Sequence, residues 1–402
     1  MSRASGSSKP SHSSDHSPTA AQITNAVDGM ADANVPASQP NWQLVLPQSS
    51  PSGAWNGTQI QVDFNIQNSA VGKGVNYLLQ FNVATTGSPV LPPSAYFVDR
   101  VEIRTPNSQV AENVTNDMLF AESTTLLTDQ SFYTVAPLYN VAFTGGLQAA
   151  PAAGNHTYWL SLNGSILGGA QPYFKGFKAG GFWQVRVFLT ANVVTSTSMG
   201  SCALSQMQLW VQEAKLSEQT EAALSAAHRS GIKYKTVTRS INTINQPSLT
   251  AGNQVTSIMS GLNRTSAGLY VFFKAPATSD PLTCLDRTPM ANFQLQDANS
   301  RPFTQTLPAQ LVESVIGPSV TPISSVFVNS PTFTTYIFPF CTSLDRVLNS
   351  GARLGSYDMT SQEKIVFTPV ASSSSALNLN IVSWDLTTIH VSKDNVDIKY
   401  GE

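Results

Sequence analysis

The sequence predicts an all-β protein made of two tandem β-sandwiches with one short helix between them. Three observations predict it. Segments of strict period-two alternation recur along the chain, separated by loops that hold many of its 25 Gly and 24 Pro residues. Many short strands with Gly/Pro-rich turns build sandwiches or barrels rather than βαβ units. The order of these segments in the second half repeats the first, and a single capped helix pattern falls between the halves. At 402 residues the chain is too long for one ordinary sandwich and suits two domains of moderate size.

Residues 1 to about 40 are largely Ser, Ala, Pro and Asn with almost no large apolar side chains. Such a segment cannot offset its ordering entropy by burial, which predicts a mobile arm that orders only against a partner. Strand signals follow. TQIQVDFNIQ puts Ile60, Val62, Phe64 and Ile66 on one face and polar residues on the other, the pattern of a half-buried strand. NYLLQFNV (76–83), YFVDRVEI (96–103) and FWQVRVFL (182–189) behave likewise. The second half carries LYVFF (269–273), NFQLQ (292–296), YIFPF (336–340), KIVF (364–367), LNLNIVSW (377–384) and TTIHV (387–391). Segments 142–156 (AFTGGLQAAPAAGNH) and 312–332 read as long loops.

The halves match in plan. YFVDRVEIRTPNSQVAENVTNDMLFAE reads as a strand, a turn at Pro106-Asn107-Ser108, and a second alternating segment ending near Glu122. NFQLQDANSRPFTQTLPAQLVE has the same plan, with its turn at Asp297-Ala298-Asn299-Ser300. Tyr158-Trp159-Leu160 precedes Val185-Arg186-Val187-Phe188 by nearly the spacing that separates Tyr336-Ile337-Phe338 from Lys364-Ile365-Val366-Phe367. LSQMQLWV (204–211) parallels LNLNIVSW (377–384). Ordered recurrence at similar offsets favours a duplicated β-domain over chance likeness among strands.

The helix pattern lies within LWVQEAKLSEQTEAALSAAHRSG (209–231). Ser217 fits an N-cap, and Glu218 and Glu221 sit where the helix dipole favours anions. Leu216, Thr220, Ala223, Leu224 and Ala227 form a narrow stripe. His228 and Arg229 occupy the last turn, and Gly231 suits the left-handed position past the end. A thin stripe packs lightly on one side. Carrying the chain from one sandwich to the next is its simplest job; a surface helix on one large sandwich is the other.

Charged residues are only 11% of the chain while hydrophobic residues are 41%. A typical soluble protein is about 25% charged. The remainder is Ser, Thr, Asn and Gln, a polar surface with little self-repulsion that tolerates burial against neighbours; a secreted β-protein with a bland surface gives the same numbers. The net charge of −2 does not support a basic nucleic-acid patch. Cys202, Cys284 and Cys341 give no metal spacing and no disulfide framework, so three reduced, mostly buried thiols are expected, which fits assembly in a reducing compartment. The N-terminus lacks the apolar core of a signal peptide, and no apolar run is long enough for a transmembrane helix. Asn-x-Ser/Thr matches at Asn56, Asn113, Asn155, Asn163 and Asn263 are expected by chance in so Ser/Thr-rich a chain.

Catalytic patterns are missing from the sequence: no G-x-S-x-G, H-E-x-x-H, G-x-G-x-x-G or P-loop occurs. The five histidines are far apart, and His390, in an alternating strand, reads as a packing residue. Glu102, Glu112, Asp117 and Glu122 cluster locally and are candidates for the paired carboxylates of glycoside hydrolysis, although Glu102, between Val101 and Ile103, reads as solvent-side. Tyr158-Trp159 and Phe182-Trp183 fit sugar platforms or, more simply, core or interface packing. No catalytic residue, cofactor or metal site is assigned.

Three stretches resemble the double jelly-roll major capsid proteins, the lineage of adenoviruses, tailless lipid-containing phages, virophages, polinton-like viruses and large eukaryotic DNA viruses. They are VEIRTPNSQVAENVTNDMLFAE, MQLWVQEAKLSEQTEAALSAAHRSGIKYKTV, and the run from YIFPF through LGSYDMTSQEKIVF to WDLTTIHVSKDNVDIKY. Together they cover about a quarter of the chain in the order that family shows. The chain departs from the family at Pro106-Asn107-Ser108, where paired glycines are usual, in an alanine-rich linking helix, and at Lys393-Asp394-Asn395 in the closing turn.

The resemblance implies two tandem eight-stranded jelly rolls joined by a short linking helix. The arm would span 1–40, the first roll 41–216, the helix and connector 217–235, and the second roll 236–402. It further implies a homotrimer that tiles an icosahedral shell, made without a signal peptide inside the host cell. Its partners would be itself, neighbouring capsomers, minor capsid or penton proteins and an internal membrane. The alternatives are a minor capsid or spike protein of the same virus class, a glycan-binding double β-sandwich, and a polysaccharide-degrading enzyme.

Overall fold

The structure is a computed structural model. It describes residues 39–49, 53–54, 61–66, 77–89, 91–125, 153–162, 166, 182–191, 193, 199–215, 226, 229–274, 285–286, 289–320, 335–350, 353–373, 376–392 and 395–401. The first half holds β1 (Gln39–Val45), β2 (Gly53–Ala54), β3 (Gln61–Ile66), β4 (Tyr77–Ser88), β5 (Val98–Arg104), β6 (Val110–Thr115), β7 (Gly154–Ser161), β8 (Trp183–Leu189) and β9 (Met199–Lys215). The second holds β10 (Ile232–Gln246), β11 (Val255–Ile258), β12 (Thr265–Lys274), β13 (Leu285–Asp286), β14 (Met290–Gln296), β15 (Leu307–Pro308), β16 (Tyr336–Pro339), β17 (Tyr357–Asp358), β18 (Lys364–Pro369), β19 (Leu377–Ser392) and β20 (Asn395–Tyr400).

The strands form four antiparallel sheets. In the first half the orders are β1-β9-β4-β7 and β3-β8-β5-β6. In the second half β10-β19-β12 continues to β16 on the far side of β12, and the facing sheet runs β11-β18-β14-β15. Strand for strand these are the same two sheets, each with its strands visited in the same chain sequence. The protein is therefore a tandem pair of eight-stranded jelly rolls, with β2, β13, β17 and β20 added at the margins.

Alternation fills the cores as the sequence predicts. Val62, Phe64 and Ile66 on β3 face Leu79, Phe81 and Val83 on β4 across the first sandwich, with Val101, Ile103, Val185, Val187, Leu209 and Val211 completing the layer. Ile60 lies outside the described residues. The matched turns also coincide. Ser108 and Ser300 both adopt the left-handed conformation, at φ 63° and 62°. Each amide donates to the carbonyl three residues back, Thr105 and Asp297, at 2.9 Å.

Several elements differ from the sequence reading. The alternating segment assigned through Glu122 stops at Thr115, and Asn116–Thr125 is an α-helix. Met118, Leu119, Phe120, Ala121 and Glu122 are all buried, and a helix covered all round shows no one-sided stripe. LNLNIVSW and TTIHV are one continuous strand, β19, because β19 is buried on both faces over most of its length. Residues 312–320, read as loop, are helical: Ala309–Leu311 and Gly317–Val320 are α-helical and Val312–Ile316 is a π-turn between them. Gly154, Asn155 and His156, also read as loop, begin β7.

The arm and the linking helix fall mostly outside the described residues. β1 begins at Gln39, so Gln39 and Pro40 belong to a strand. In the linking segment Ala226, Arg229 and Ser230 are helical. Gly231 takes φ 89°, the left-handed position the sequence assigned to it, before β10 starts. Ser217, Glu218, Glu221, Leu216, Thr220, Ala223, Leu224, Ala227 and His228 are not among the described residues.

Candidate functional site

Two surfaces stand out, one buried between the rolls and one exposed. The buried one is built on the Asn116–Thr125 helix. Its start is fixed locally: the Asp117 amide donates to Asn116 Oδ1 at 2.8 Å, and the Met118 amide to Thr115 Oγ1 at 3.5 Å. Asp117 sits in the first turn, where the helix dipole favours it. The helix and β6 face the outer side of the β10-β19-β12 sheet. On that side Tyr270, Phe272, Val382 and Trp384 join the hydrophobic cluster of the first roll, while Leu269, Val271, Phe273, Leu379 and Ile381 fill the second roll's own core. This is why β12 and β19 are buried on both faces.

At the centre of the junction lies a buried charge cluster. Glu112 Oε1 accepts from the Arg239 backbone amide and from its Nε, both at 2.9 Å. Glu112 Oε2 accepts from the Ile166 amide at 2.7 Å. Arg239 Nη1 also donates to Glu122, which accepts from the Tyr270 hydroxyl at 3.1 Å. Burial pushes the Glu122 carboxyl up to about 7, against the pull of Arg239 and with a further push from Glu112. Burial alone would lower Arg239, and Glu112 and Glu122 more than reverse it, so the guanidinium stays charged. Around this centre, Lys274 Nζ donates to Asp117 at 2.7 Å. Asn107 donates to Asn395 and to the Val396 carbonyl, and the Tyr400 hydroxyl donates to the Ala111 carbonyl at 2.9 Å.

The four candidate carboxylates are thus accounted for by cations. Glu112 and Glu122 share Arg239, and Asp117 holds Lys274. Glu102 lies on the outer face of β5, as the alternation predicts, but is clasped by Arg104 at 2.7 Å and Arg100 at 3.5 Å. No two of them face each other across an open cleft as hydrolysis requires. Arg239 is the residue sequence reasoning missed. Its signal was present: it shares a strand face with Val237 and Ile241 in a chain with few charges.

The aromatic pairs divide. Tyr158 and Trp183 are buried core residues, Trp159 is half-buried, and Phe182 is exposed. His390 is half-buried on β19. Cys202 and Cys341 are buried free thiols, and burial pushes Cys202 up to about 12; Cys284 lies outside the described residues. Among the described residues no group of three or more His, Cys, Asp or Glu could hold a metal ion, and no helix is long and apolar enough to cross a membrane.

The exposed surface has two apolar patches. On β1, the edge strand of its sheet, Trp42 is 44% exposed, Leu44 38%, and Leu46 just beyond it 61%. On the helical segment of the second roll Leu311 is 37% and Val315 54% exposed. Beside Ile316 opens a cavity of about 470 Å³, lined by Leu295, Phe303, Thr304, Leu307, Phe340 and Tyr357 among others. The Phe303 and Tyr357 rings stack at 4.5 Å.

No family model matches the sequence, and no curated protein matches it. Solved structures do match over nearly the whole chain. PBCV-1 VP54, fitted into a reconstruction of the virophage Sputnik, aligns with a TM-score of 0.63 at 11% identity, covering 93% of this chain and all of that one. A structure of the Sputnik virophage gives 0.58 at 12% identity over 92% and 90% of the two chains. The Faustovirus major capsid protein gives 0.58 at 9%, over 90% and 92%. The chain shares their double jelly-roll fold.

Proposed function

We propose that the protein is the major shell subunit of an icosahedral virus, a structural protein without catalysis. One observation carries the reading: a jelly roll repeated strand for strand in one chain, its halves locked face to face, in the fold of solved capsid proteins. Two similar rolls per chain allow three chains to present a six-sided outline, and such tiles close a shell through repeated, individually modest contacts. The low charge of the chain suits large faces that meet neighbours. On this reading residues 41–216 and 236–402 are the two rolls, 217–235 the connector, and 1–40 an arm that orders beneath the shell against neighbouring capsomers, minor or penton proteins, or a membrane.

Size-exclusion chromatography with light scattering tests it. The full chain is expected to run as a compact trimer, and electron micrographs of it to show hexagonal outlines. A stable monomer would overturn the reading.

A further inference from the structure

The intramolecular junction supplies a template for a contact between molecules. Each roll has two faces that matter. One is the segment after the left-handed serine, which in the first roll contributes Glu112 and the Asn116–Thr125 helix. The other is the edge strand that receives it, which in the second roll is β10 with Arg239. The chain joins the first face of roll one to the second face of roll two. Among the described residues that leaves one unmatched copy of each: the segment after Ser300, and the edge strand β1.

Strand registers define the equivalent positions. Arg239 stands opposite Trp384 on β19, and Leu44 stands opposite Trp210 on β9. Residues directly opposite in an antiparallel pair share a face. Both tryptophans point away from their own core, since Leu209 and Val211 in one strand and Leu379 and Ile381 in the other point into it. Glu112 stands opposite Ile103, four residues after Ser108. Thr304 lies four residues after Ser300, and its amide donates to the Leu295 carbonyl at 3.4 Å. Matching core-facing positions shifts the alignment of 204–211 with 377–384 by one residue and sets Trp210 at Trp384; Leu44 then takes the place of Arg239, and, counted from the serines, Thr304 takes the place of Glu112. Thr304 lines the aromatic cavity of the second roll.

The chemistry has changed at both positions in the same sense. Where the chain meets itself the pair is ionic; where the equivalent faces are left over, both positions are uncharged, Leu44 being apolar and the Thr304 hydroxyl already bonded to the Leu295 amide beside a largely apolar cavity. Exposed Trp42, Leu44 and Leu46 form an uncovered apolar edge among the described residues, the kind of edge proteins otherwise avoid. Leu311 and Val315, one helical turn apart, flank the cavity side.

We infer that β1 of one copy docks on the second roll of another, with Leu44 over the Thr304 cavity and Trp42 and Leu46 against the Leu311–Val315 stripe. The contact is heterologous, and it closes a ring of three copies when its rotation is three-fold. The inference rests on the trimer reading and names the interface within it.

Light scattering and native mass spectrometry on full chains test it, with circular dichroism to confirm folding. Leu44→Asp alone, and Leu311→Asp with Val315→Asp, are each expected to give folded monomers at concentrations where the parent chain is trimeric. Ser356→Trp, which fills the cavity from an exposed position without adding charge, should do the same. Mixing the Leu44→Asp chain with the Leu311→Asp/Val315→Asp chain should yield a one-to-one dimer, because one good contact remains. Trimers from all three variants would overturn the interface while leaving the capsid reading intact. Monomers that fail to pair on mixing would overturn its heterologous form. A monomeric parent chain would overturn both readings.

Discussion

The segments after Ser108 and after Ser300 begin alike and end differently. Both turns hold a serine at positive φ with the same pair of backbone hydrogen bonds. The first then runs through β6 into a helix that is buried against the second roll. The second passes through the two-residue β15 into a helix whose Leu311 and Val315 face solvent. Backbone geometry has been kept through the duplication while side-chain chemistry has followed the partner. Ions suit the contact within the chain, because the partner is tethered and forms with the fold, and the desolvation cost is met once. An apolar face suits a contact that must form between separate molecules, where burying apolar area is the main driving force.

The largest expected effect separates these two chemistries. Arg239→Met removes the shared cation and leaves Glu112 and Glu122 buried with each other. Breaking a buried pair from one side costs about 3–5 kcal/mol. Thr304→Ala at the equivalent position loses only the bond its hydroxyl accepts from the Leu295 amide at 2.9 Å, worth about 1 kcal/mol. Urea denaturation of the two variants checks the asymmetry. Equal losses would mean the junction is not a charge lock.

A smaller effect is expected from pH, and only at the first position. Glu122 has a folded pKa of about 7 against an ordinary value of 4.5. The folded state therefore binds the proton more tightly than the unfolded one. The stabilisation is fully present below about 4.5 and is lost as pH rises through 7, when the Glu112–Arg239–Glu122 cluster gains a net negative charge. Stability should fall by on the order of 1–3 kcal/mol between pH 5 and 8. Glu122→Gln should flatten that slope. A slope unchanged by the substitution would place the titration elsewhere.

How much of this was legible in the sequence follows from what each element touches. Strands with one wet face, such as β3 and β8, declared themselves because Val62, Phe64 and Ile66 alternate with polar neighbours. The Ser108 and Ser300 turns were legible as matched pairs, and Gly231 as a left-handed stop. The Asn116–Thr125 helix was not, because the second roll covers the side that would otherwise be polar. The continuity of β19 was hidden for the same reason. The carboxylates were visible as a cluster but misleading as one, since Glu112 and Glu122 are partnered by Arg239, more than a hundred residues away. Partner choice is a property of the assembled junction and has no local sequence signal.

The smallest effect tests whether the two turns are the same device. A left-handed backbone costs a residue bearing a Cβ about 1–2 kcal/mol, and a β-branched side chain fits it worst. Serine already carries that cost, so Ser108→Val and Ser300→Val should each lower stability only by the further misfit of the β-branched side chain, and by similar amounts. Glycine at either position relieves the backbone but loosens the unfolded chain, so Ser108→Gly and Ser300→Gly should both stay within about 0.5 kcal/mol of the parent. Ser108 adjoins Asn107, which bonds across the junction to Asn395 and Val396, whereas the turn at Ser300 is held from within its own roll, where Lys364 Nζ donates to Ser300 Oγ at 2.6 Å and to the Ala298 carbonyl at 3.4 Å. A loss clearly larger at Ser108 than at Ser300 would mean that the first turn is held by the junction as well as by its own backbone, and that the duplication has drifted even where the backbone angles agree.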